Sequence, residues 1–314
     1  MKTRRITGLM LAALLFFLTA CAGKISTQAA AAATQQPQAT AIATQAAAAP
    51  TVPPQPNATA TMVDTRKPLG IIAIGHSGLT GESSDTTRLP GMPALENSWA
   101  TGNSSKVNSV YKRLAAVYPE IVGHVANEAV GGSLVTDLAD QARAALQKVP
   151  NPQLVIIKTI DNDIRCDGSD QNFIKGFGNA VAEALDVIVK ASPDSKILIV
   201  SQPGRPATNA AATAVDPNAV AKIEGTGICA MFNPDGSMNK EHIATLTGII
   251  ESYEAEQTRV CSLVPQCKTD GGAFATYIDD ISRMTPDLGH LTVEGQARLA
   301  EIIWPVVSNL LALK

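Results

Sequence analysis

Three residues of this chain could act together in nucleophilic chemistry: Ser77, Asp287 and His290. Ser77 ends an apolar run in "IIAIGHSGLTG" (71–81), and the other two form a D-x-x-H pair in "TPDLGHLT" (285–292). A serine becomes a strong nucleophile only when a base takes its proton and a third group orients that base. The pair could supply both groups. Each pattern alone is weak, because D-x-x-H is frequent and a serine beside glycines is often only a turn residue.

The elements that must position these residues alternate between buried strands and amphipathic helices. Continuous apolar runs such as "PQLVIIKTIDND" are typical of parallel strands that are covered on both faces. The alternation predicts an α/β sheet with right-handed crossovers. Strands are predicted near residues 69–77, 120–130, 152–163 and 195–203, with a short fifth strand near "AFATYID" (273–279). Helices are predicted near residues 107–118, 134–149, 172–192, 240–260 and 292–313, and residues 203–275 look like a long ordered insertion.

Polar residues and glycines collect where the first three predicted strands end. Ser77 follows the first strand, residues 127–132 follow the second, and residues 161–163 (Asp-Asn-Asp) follow the third. In open parallel sheets, ligands bind at the carboxyl ends of the strands. The D-x-x-H loop precedes the last helix, for which Thr292 is the predicted N-cap. The candidate residues are therefore expected to meet at one edge of the sheet.

This order of blocks resembles the SGNH hydrolases, also called the GDSL esterase/lipase family, over nearly all of residues 67–314. The resemblance implies a three-layer α/β/α sandwich of flavodoxin-like type, with a mainly parallel sheet of about five strands. It places the family's nucleophile on Ser77 and its D-x-x-H block on Asp287 and His290. The implied reaction is hydrolysis of an acyl ester, in which His290 takes the proton of Ser77 and Asp287 orients the imidazole.

The same resemblance implies an oxyanion hole. The family's second-block glycine falls on Gly132, five residues after Asn127, and its G-x-N-D block falls on residues 160–163, with Asn162 as the asparagine. The backbone N–H groups of Ser77 and Gly132 and the Asn162 amide would then stabilise the tetrahedral oxygen. The implied reaction needs no metal or cofactor. Four blocks in the family's order are far more specific than any one of them.

Two positions depart from the family pattern. His76 stands where the family has an aspartate before the nucleophile, and Ile160 stands where it has the glycine of G-x-N-D. Neither position supplies a catalytic group, so the expected activity stands. Adjacent side chains on an extended segment point to opposite faces, so His76 is not expected to reach the Ser77 hydroxyl.

Two other interpretations remain open from the sequence. An α/β-hydrolase has the same Ser, Asp, His order, but Leu79 stands where its G-x-S-x-G elbow needs a glycine. A surface lipoprotein that binds a glycan or an acyl ligand without catalysis would also explain the departures at His76 and Ile160. Such a binding protein would have no need of all five site residues.

Composition limits the class of substrate and argues against nucleic acid as a partner. The net charge is -3, no Lys/Arg cluster stands out, and aromatic residues make up 4% of the chain. The family resemblance allows acetylated sugars, short-chain esters, lipids and thioesters. The low aromatic content argues against a long-chain lipase. A small-molecule or carbohydrate acyl ester is the expected substrate, with deacetylation of carbohydrate as the first hypothesis.

The amino terminus predicts an exported, tethered protein. Residues 1–21 combine a basic start, an apolar stretch and Leu-Thr-Ala-Cys, which resembles the lipobox of bacterial lipoprotein signal peptides. Cys21 is the predicted lipidation site, and the lipid would anchor the protein at the cell envelope surface, on the periplasmic or extracellular face. Residues 22–66 are rich in Ala, Thr, Gln and Pro and read as a disordered linker. Residues 67–314 form the predicted hydrolase-like domain.

Four further cysteines fit an exported chain with two disulfides. They are Cys166, Cys229, Cys261 and Cys267. Three pairings are possible. The preferred one joins Cys261 to Cys267 across a small loop and leaves Cys166 to pair with Cys229. A zinc site is the competing interpretation, but no C-x-x-C or H-x-x-x-H spacing supports it.

Overall fold

The computed structural model describes residues 68–223, 227–277 and 280–313. The predicted signal peptide with Cys21 and the predicted linker lie outside these residues. Within the described ranges, no helix has the length and apolar character that crossing a membrane requires.

Five parallel strands form one sheet, in the order β2-β1-β3-β4-β5. They are β1 (Ile71–Gly75), β2 (Val125–Asn127), β3 (Leu154–Lys158), β4 (Lys196–Ile199) and β5 (Cys267–Thr269). The inner strands β1 and β3 are buried at every residue, which explains their continuous apolar sequences. Their register pairs Gly75 with Lys158 at the carboxyl ends. The predicted parallel α/β sheet of about five strands is confirmed, in the flavodoxin-like order.

Helices cover both faces of this sheet. They are α1 (Val110–Val117), α2 (Leu138–Lys148), α3 (Asp170–Ala191), α4 (Pro206–Thr213), α5 (Pro217–Lys222), α6 (Lys240–Ser262) and α7 (Val293–Leu310). Helices α2, α3 and α6 pack in one core with Ile72 and Ile74 of β1. Helices α1 and α7 pack in a second core with Ile71 and Ala73, on the opposite face. Alternate residues of β1 thus serve two cores, and the predicted three-layer sandwich is confirmed.

The fifth strand is not where the sequence predicted it. The segment "AFATYID" contains a 3₁₀ turn at Phe274–Thr276, and β5 lies a few residues earlier. Asp270 explains the difference, because its carboxylate accepts hydrogen bonds from the N–H groups of Gly272 and Phe274 and turns the chain away from the sheet. Phe274 then packs its ring edge-on against Trp99 at 4.9 Å between centroids, inside the core. The prediction of a strand near residues 273–279 was wrong.

One disulfide ties the insertion to the rest of the domain, and a second lies within the insertion. Cys166, after β3, is bonded to Cys229, and Cys261, near the end of α6, is bonded to Cys267, the first residue of β5. Both pairs have a Cα–Cα distance of 5.3 Å. The preferred pairing is confirmed. Helices α4, α5 and α6 account for most of the ordered insertion predicted over residues 203–275.

Candidate active site

A cavity of about 520 Å³ opens at the carboxyl ends of the strands, where β1 and β3 lie side by side. The chain leaves β1 towards β2 on one side and returns to β3 on the other, and such a reversal is where open α/β sheets bind ligands. Ser77, Gly132, Asn162 and His290 all line the cavity. Asp287 lines an adjoining cavity behind the His290 loop. Residues predicted from four separate stretches of sequence therefore converge on one place.

Ser77 begins a short 3₁₀ turn directly after β1. The turn is held on both sides: the Gly78 N–H donates to Nδ1 of His76 at 3.2 Å, and the Trp99 indole N–H donates to the Gly78 carbonyl at 2.8 Å. Gly75 just before it has φ 140°, and a Cβ there would lie 1.8 Å from the Lys158 carbonyl oxygen. The end of β1 thus requires a glycine, and the serine that follows is presented on a firmly held turn.

Asp287 and His290 form a hydrogen-bonded pair on the loop before α7. His290 Nδ1 lies 3.1 Å from Asp287 Oδ2. The same carboxylate accepts hydrogen bonds from the Ser83 and Thr285 hydroxyls, at 2.8 and 2.7 Å, and from the Gly289 N–H. Partial burial opposes ionisation of Asp287, but these hydrogen bonds outweigh it and hold the pKa of the carboxyl well below its usual range. Asp287 is therefore a fixed anion that can orient the imidazole.

The other nitrogen of His290 does not bind Ser77 in this structure. Nε2 lies 3.4 Å from Oε1 of Glu82, and no hydrogen bond joins His290 to Ser77 anywhere in the described chain. Because Nδ1 faces the Asp287 anion, it carries a hydrogen, and Nε2 is then free to accept a proton when the imidazole is neutral. Catalytic hydrogen bonds are often long or misaligned before substrate binds.

Three hydrogen-bond donors line the cavity near Ser77. Among the described residues, the N–H groups of Ser77 and Gly132 donate to no protein acceptor. Asn162 Nδ2 donates one hydrogen to the Ser133 carbonyl at 2.9 Å, which leaves its second hydrogen available. Gly132 has φ 79°, a conformation that favours glycine. Backbone N–H groups and side-chain amides are the kinds of donor from which oxyanion holes are built.

The departure at position 76 is part of a buried network. His76 Nε2 lies 2.8 Å from Asp161 Oδ2, and Lys158 Nζ lies 2.6 Å from the same oxygen. Since Nδ1 of His76 accepts the Gly78 N–H, its hydrogen is on Nε2 and points to Asp161. Burial opposes ionisation of Asp161, but Lys158 and His76 outweigh it and hold the pKa of the carboxyl far below its usual range. His76 supports the turn, and no hydrogen bond joins its ring to the Ser77 hydroxyl within the described residues.

The backbone is strained at position 160, the second departure from the family pattern. Ile160 has φ 96° and is fully buried against the α2–α3–α6 core. A β-branched residue at positive φ costs about 1–3 kcal/mol, so core packing must hold it there. Its carbonyl accepts the Asp163 N–H at 2.8 Å and closes the turn that carries Asn162. The turn that carries Asn162 is thus closed with an isoleucine at its first position.

Four site residues were missed by reasoning from the sequence. Glu82 and Ser83 follow the turn that begins at Ser77. Lys158 ends β3 and Gln202 follows β4, and Lys158 Nζ lies 3.2 Å from Gln202 Oε1. A signal for Lys158 was present, because a lone cation ends the otherwise apolar run LVIIK. No sequence pattern joins residue 82 to residue 290.

No family model and no curated protein matches this chain. Several solved structures are similar to it. An extracellular lipase from Streptomyces rimosus is 15% identical, with a TM-score of 0.47, over 77% of this chain and 99% of its own. A GDSL-like lipase from Parabacteroides merdae is 12% identical, with a TM-score of 0.47, over 78% and 97%. A family two carbohydrate esterase from Clostridium thermocellum, in complex with cellohexaose, is 16% identical, with a TM-score of 0.46, over 78% and 66%. All three TM-scores lie below 0.5, so the chemistry of this chain has to be inferred from its own residues.

Proposed function

We propose that this chain is a serine ester hydrolase of the SGNH type, with Ser77 as nucleophile, His290 as base and Asp287 as the group that orients it. The proposal rests on one observation, which is that the proposed site residues lie together. Ser77, three candidate oxyanion donors and a hydrogen-bonded Asp–His pair share one edge of the sheet, although they come from four distant stretches of sequence. A structural role for each residue separately does not require them to meet.

The proposed reaction proceeds in two halves. Ser77 Oγ bonds to the acyl carbon while its proton passes to Nε2 of His290. The tetrahedral oxygen accepts hydrogen bonds from the Ser77 and Gly132 N–H groups and from Asn162, and losing one such donor typically costs about 10²–10³ in kcat. The bond from the acyl carbon to the alcohol then breaks, and the alcohol leaves with the proton from Nε2. Water repeats the sequence and releases the acid.

The proposed substrate is a small acyl ester of a polar alcohol, with acetylated carbohydrate as the first candidate. The cavity carries polar side chains around the reacting groups, among them those of Glu82, Gln202, Asn209 and Gln296. Such a lining offers hydrogen-bond partners to hydroxyl groups, and the cavity volume of about 520 Å³ lies in the lower half of the range for ligand sites, about 300–1,000 Å³.

The test is hydrolysis of p-nitrophenyl esters from acetate to laurate by the purified protein and by its Ser77→Ala variant. We expect activity on the short esters and a loss of about 10⁵–10⁶-fold in kcat for Ser77→Ala. Ser105→Ala is the matched control, because Ser105 is an exposed serine in the segment before α1. This variant is expected to retain full activity. Equal rates for the protein and the Ser77→Ala variant would contradict the proposal.

A second candidate is a ligand-binding protein that does not catalyse. One observation favours it: Nε2 of His290 faces Glu82, and no hydrogen bond to Ser77 occurs within the described residues. Labelling with a fluorophosphonate probe separates the two candidates, since only an activated serine reacts. Labelling that Ser77→Ala abolishes supports the esterase. A protein that binds acetylated glycans but never labels supports the binding role.

We also propose that the protein is exported and lipid-anchored through Cys21 at the cell envelope, with residues 22–66 as the spacer. The support is the order of basic, apolar and Leu-Thr-Ala-Cys segments in the first 21 residues. Metabolic labelling with an alkyne fatty acid tests it. We expect the label in the protein and its loss in Cys21→Ser, and a label that persists in that variant would contradict the anchor.

A further inference from the structure

Glu82 occupies the space between the proposed base and the loop of the oxyanion hole. Its Oε1 is 3.4 Å from Nε2 of His290, and its side chain is only 14% exposed. Its Oε2 lies against Gly131, where a Cβ would come within 2.4 Å of it. Gly131 thus leaves room for this carboxylate beside Gly132. A carboxylate is unusual here, because the reaction builds negative charge nearby.

The Glu82 carboxylate lacks the donors that other buried carboxylates of the domain have. In the described residues, no N–H or O–H group is placed to hydrogen-bond to it, and the His290 contact is long. Asp287, one loop away, accepts hydrogen bonds from two hydroxyls and from the N–H groups of Gly289 and His290. An ionised carboxylate offers about four acceptor positions, and leaving them unmet in a poorly exposed site is costly. Glu82 therefore suits a donor that arrives with the ligand.

The position of Glu82 indicates which part of the ligand supplies that donor. In the proposed reaction, Nε2 of His290 delivers a proton to the oxygen of the leaving alcohol. A group 3.4 Å from Nε2 lies beside that alcohol, and a hydroxyl on the carbon next to the ester-bearing carbon would reach it. In a monoester of a vicinal diol, the ester oxygen and the free hydroxyl oxygen are about 2.8 Å apart, which is the spacing of a hydrogen bond. With the ester oxygen at Nε2, the hydroxyl would therefore lie beside Glu82.

We propose that Glu82 is a specificity-determining residue that accepts a hydrogen bond from a free hydroxyl adjacent to the ester, so that monoesters of vicinal diols are the preferred substrates. The inference rests on the proposed esterase function and deepens it. Partly acylated sugars belong to this class. A site built to bind a hydroxyl rejects the analogue that lacks it, because its own acceptor is then left unpaired.

The experiment compares two esters that differ by one methyl group: ethylene glycol monoacetate, which has the free hydroxyl, and 2-methoxyethyl acetate, which does not. The quantity measured is the ratio of their kcat/KM values, in which any common loss of folding or catalysis cancels. For the unaltered protein we expect a ratio of about 10–100, the effect of one hydrogen bond to a charged group. The ratio should fall in Glu82→Gln, which keeps a weaker acceptor, and fall further towards 1 in Glu82→Leu.

Glu301→Gln is the matched control, because it removes an exposed carboxylate on α7 that pairs with Arg298. Its ratio should equal that of the unaltered protein. A ratio near 1 in the unaltered protein overturns the proposal. So does a ratio that both Glu82 variants retain, because Glu82 would then act on both esters alike through His290.

The two proposals fail in different ways. A protein that hydrolyses p-nitrophenyl acetate but neither glycol ester overturns the role of Glu82 alone. A protein that hydrolyses none of the three esters and does not react with fluorophosphonate overturns the esterase proposal, and the role of Glu82 with it.

Discussion

The cavity contains two histidines in opposite surroundings. The His290 side chain is 22% exposed and lies between the carboxylates of Asp287 and Glu82. The His76 side chain is 3% exposed, and both of its ring nitrogens are committed, one to a backbone N–H and one to Asp161. A ring with one oriented nitrogen and one facing the cavity can move a proton, whereas a ring with both nitrogens bound can only hold structure. The surroundings of each ring, rather than its distance from Ser77 along the chain, separate the two roles.

The largest expected difference is between removal of one ring and removal of the other. His290→Ala should lower kcat/KM for p-nitrophenyl acetate by about 10⁵–10⁶-fold, because the proposed base is lost. His76→Ala should lower it by about 10²-fold, because the turn that presents Ser77 loses a support but no proton acceptor is lost. Equal losses from the two changes would break the comparison.

The carboxylates that bind the two histidines should differ in the same way, one affecting activity and the other affecting stability. Asp287→Asn should lower kcat by about 10⁴-fold with little change in stability, because the amide favours the wrong tautomer of His290. Asp161→Asn should instead reduce the free energy of unfolding by about 3 kcal/mol, since Lys158, with a side chain 3% exposed, loses its counter-charge. Steady-state kinetics and urea unfolding of both variants measure these effects. A stability loss confined to Asp287→Asn would contradict the assignment.

Acid should reduce the stability that ionised Asp161 gives to the unaltered protein. The pKa of Asp161 is lower in the folded protein than in the unfolded chain, where aspartate titrates near 3.9. Ionised Asp161 therefore contributes stability above about pH 5, and that contribution is lost as the pH falls through 4 and below. Urea midpoints measured from pH 7 to pH 3 should fall more steeply for the unaltered protein than for Asp161→Asn. Parallel curves would show that the pair contributes nothing.

The smallest expected effect concerns the support of Asp287. Ser83 has φ 59° and donates its hydroxyl to Asp287 Oδ2, the oxygen that faces His290. Ser83→Ala should lower kcat/KM by about 5-fold, the value of one hydrogen bond. The exposed Ser105→Ala change should have no effect. An unchanged rate in Ser83→Ala would show that Thr285 and the loop N–H groups are sufficient to fix the carboxylate.

The sequence predicted the inner strands and the long helices because their apolar residues follow a clear pattern. Strands β1 and β3 are uninterrupted apolar runs, and Thr292 caps α7 as expected, accepting the Gly295 N–H. Strand β5 escaped prediction because it has only three residues, Cys-Lys-Thr, at the sheet edge, where little burial constrains their type. Its position is determined by pairing with β4, and no local pattern contains that information.

The candidate site was predictable only in part. The order of blocks placed Ser77, Gly132, Asn162, Asp287 and His290 at one edge of the sheet, and all five lie there. The contact of Glu82 with His290 could not be predicted, because it joins loops far apart in the chain. The partners of Lys158 could not be predicted either. A buried cation signals that a counter-charge is near, but it does not say which one.

The parallel register of the sheet has a consequence for how the chain folds. Ile71 of β1 pairs with Leu154 of β3, 83 residues later in the chain, so the strand that leads to Ser77 gains its inner neighbour only after β3 has been synthesised. Pairings of such high sequence separation make folding slow, because a long loop must close before any contact forms. A nascent chain that ends before β3 therefore lacks the pairing that fixes the end of β1, and Ser77 cannot reach its final position until β3 has been made.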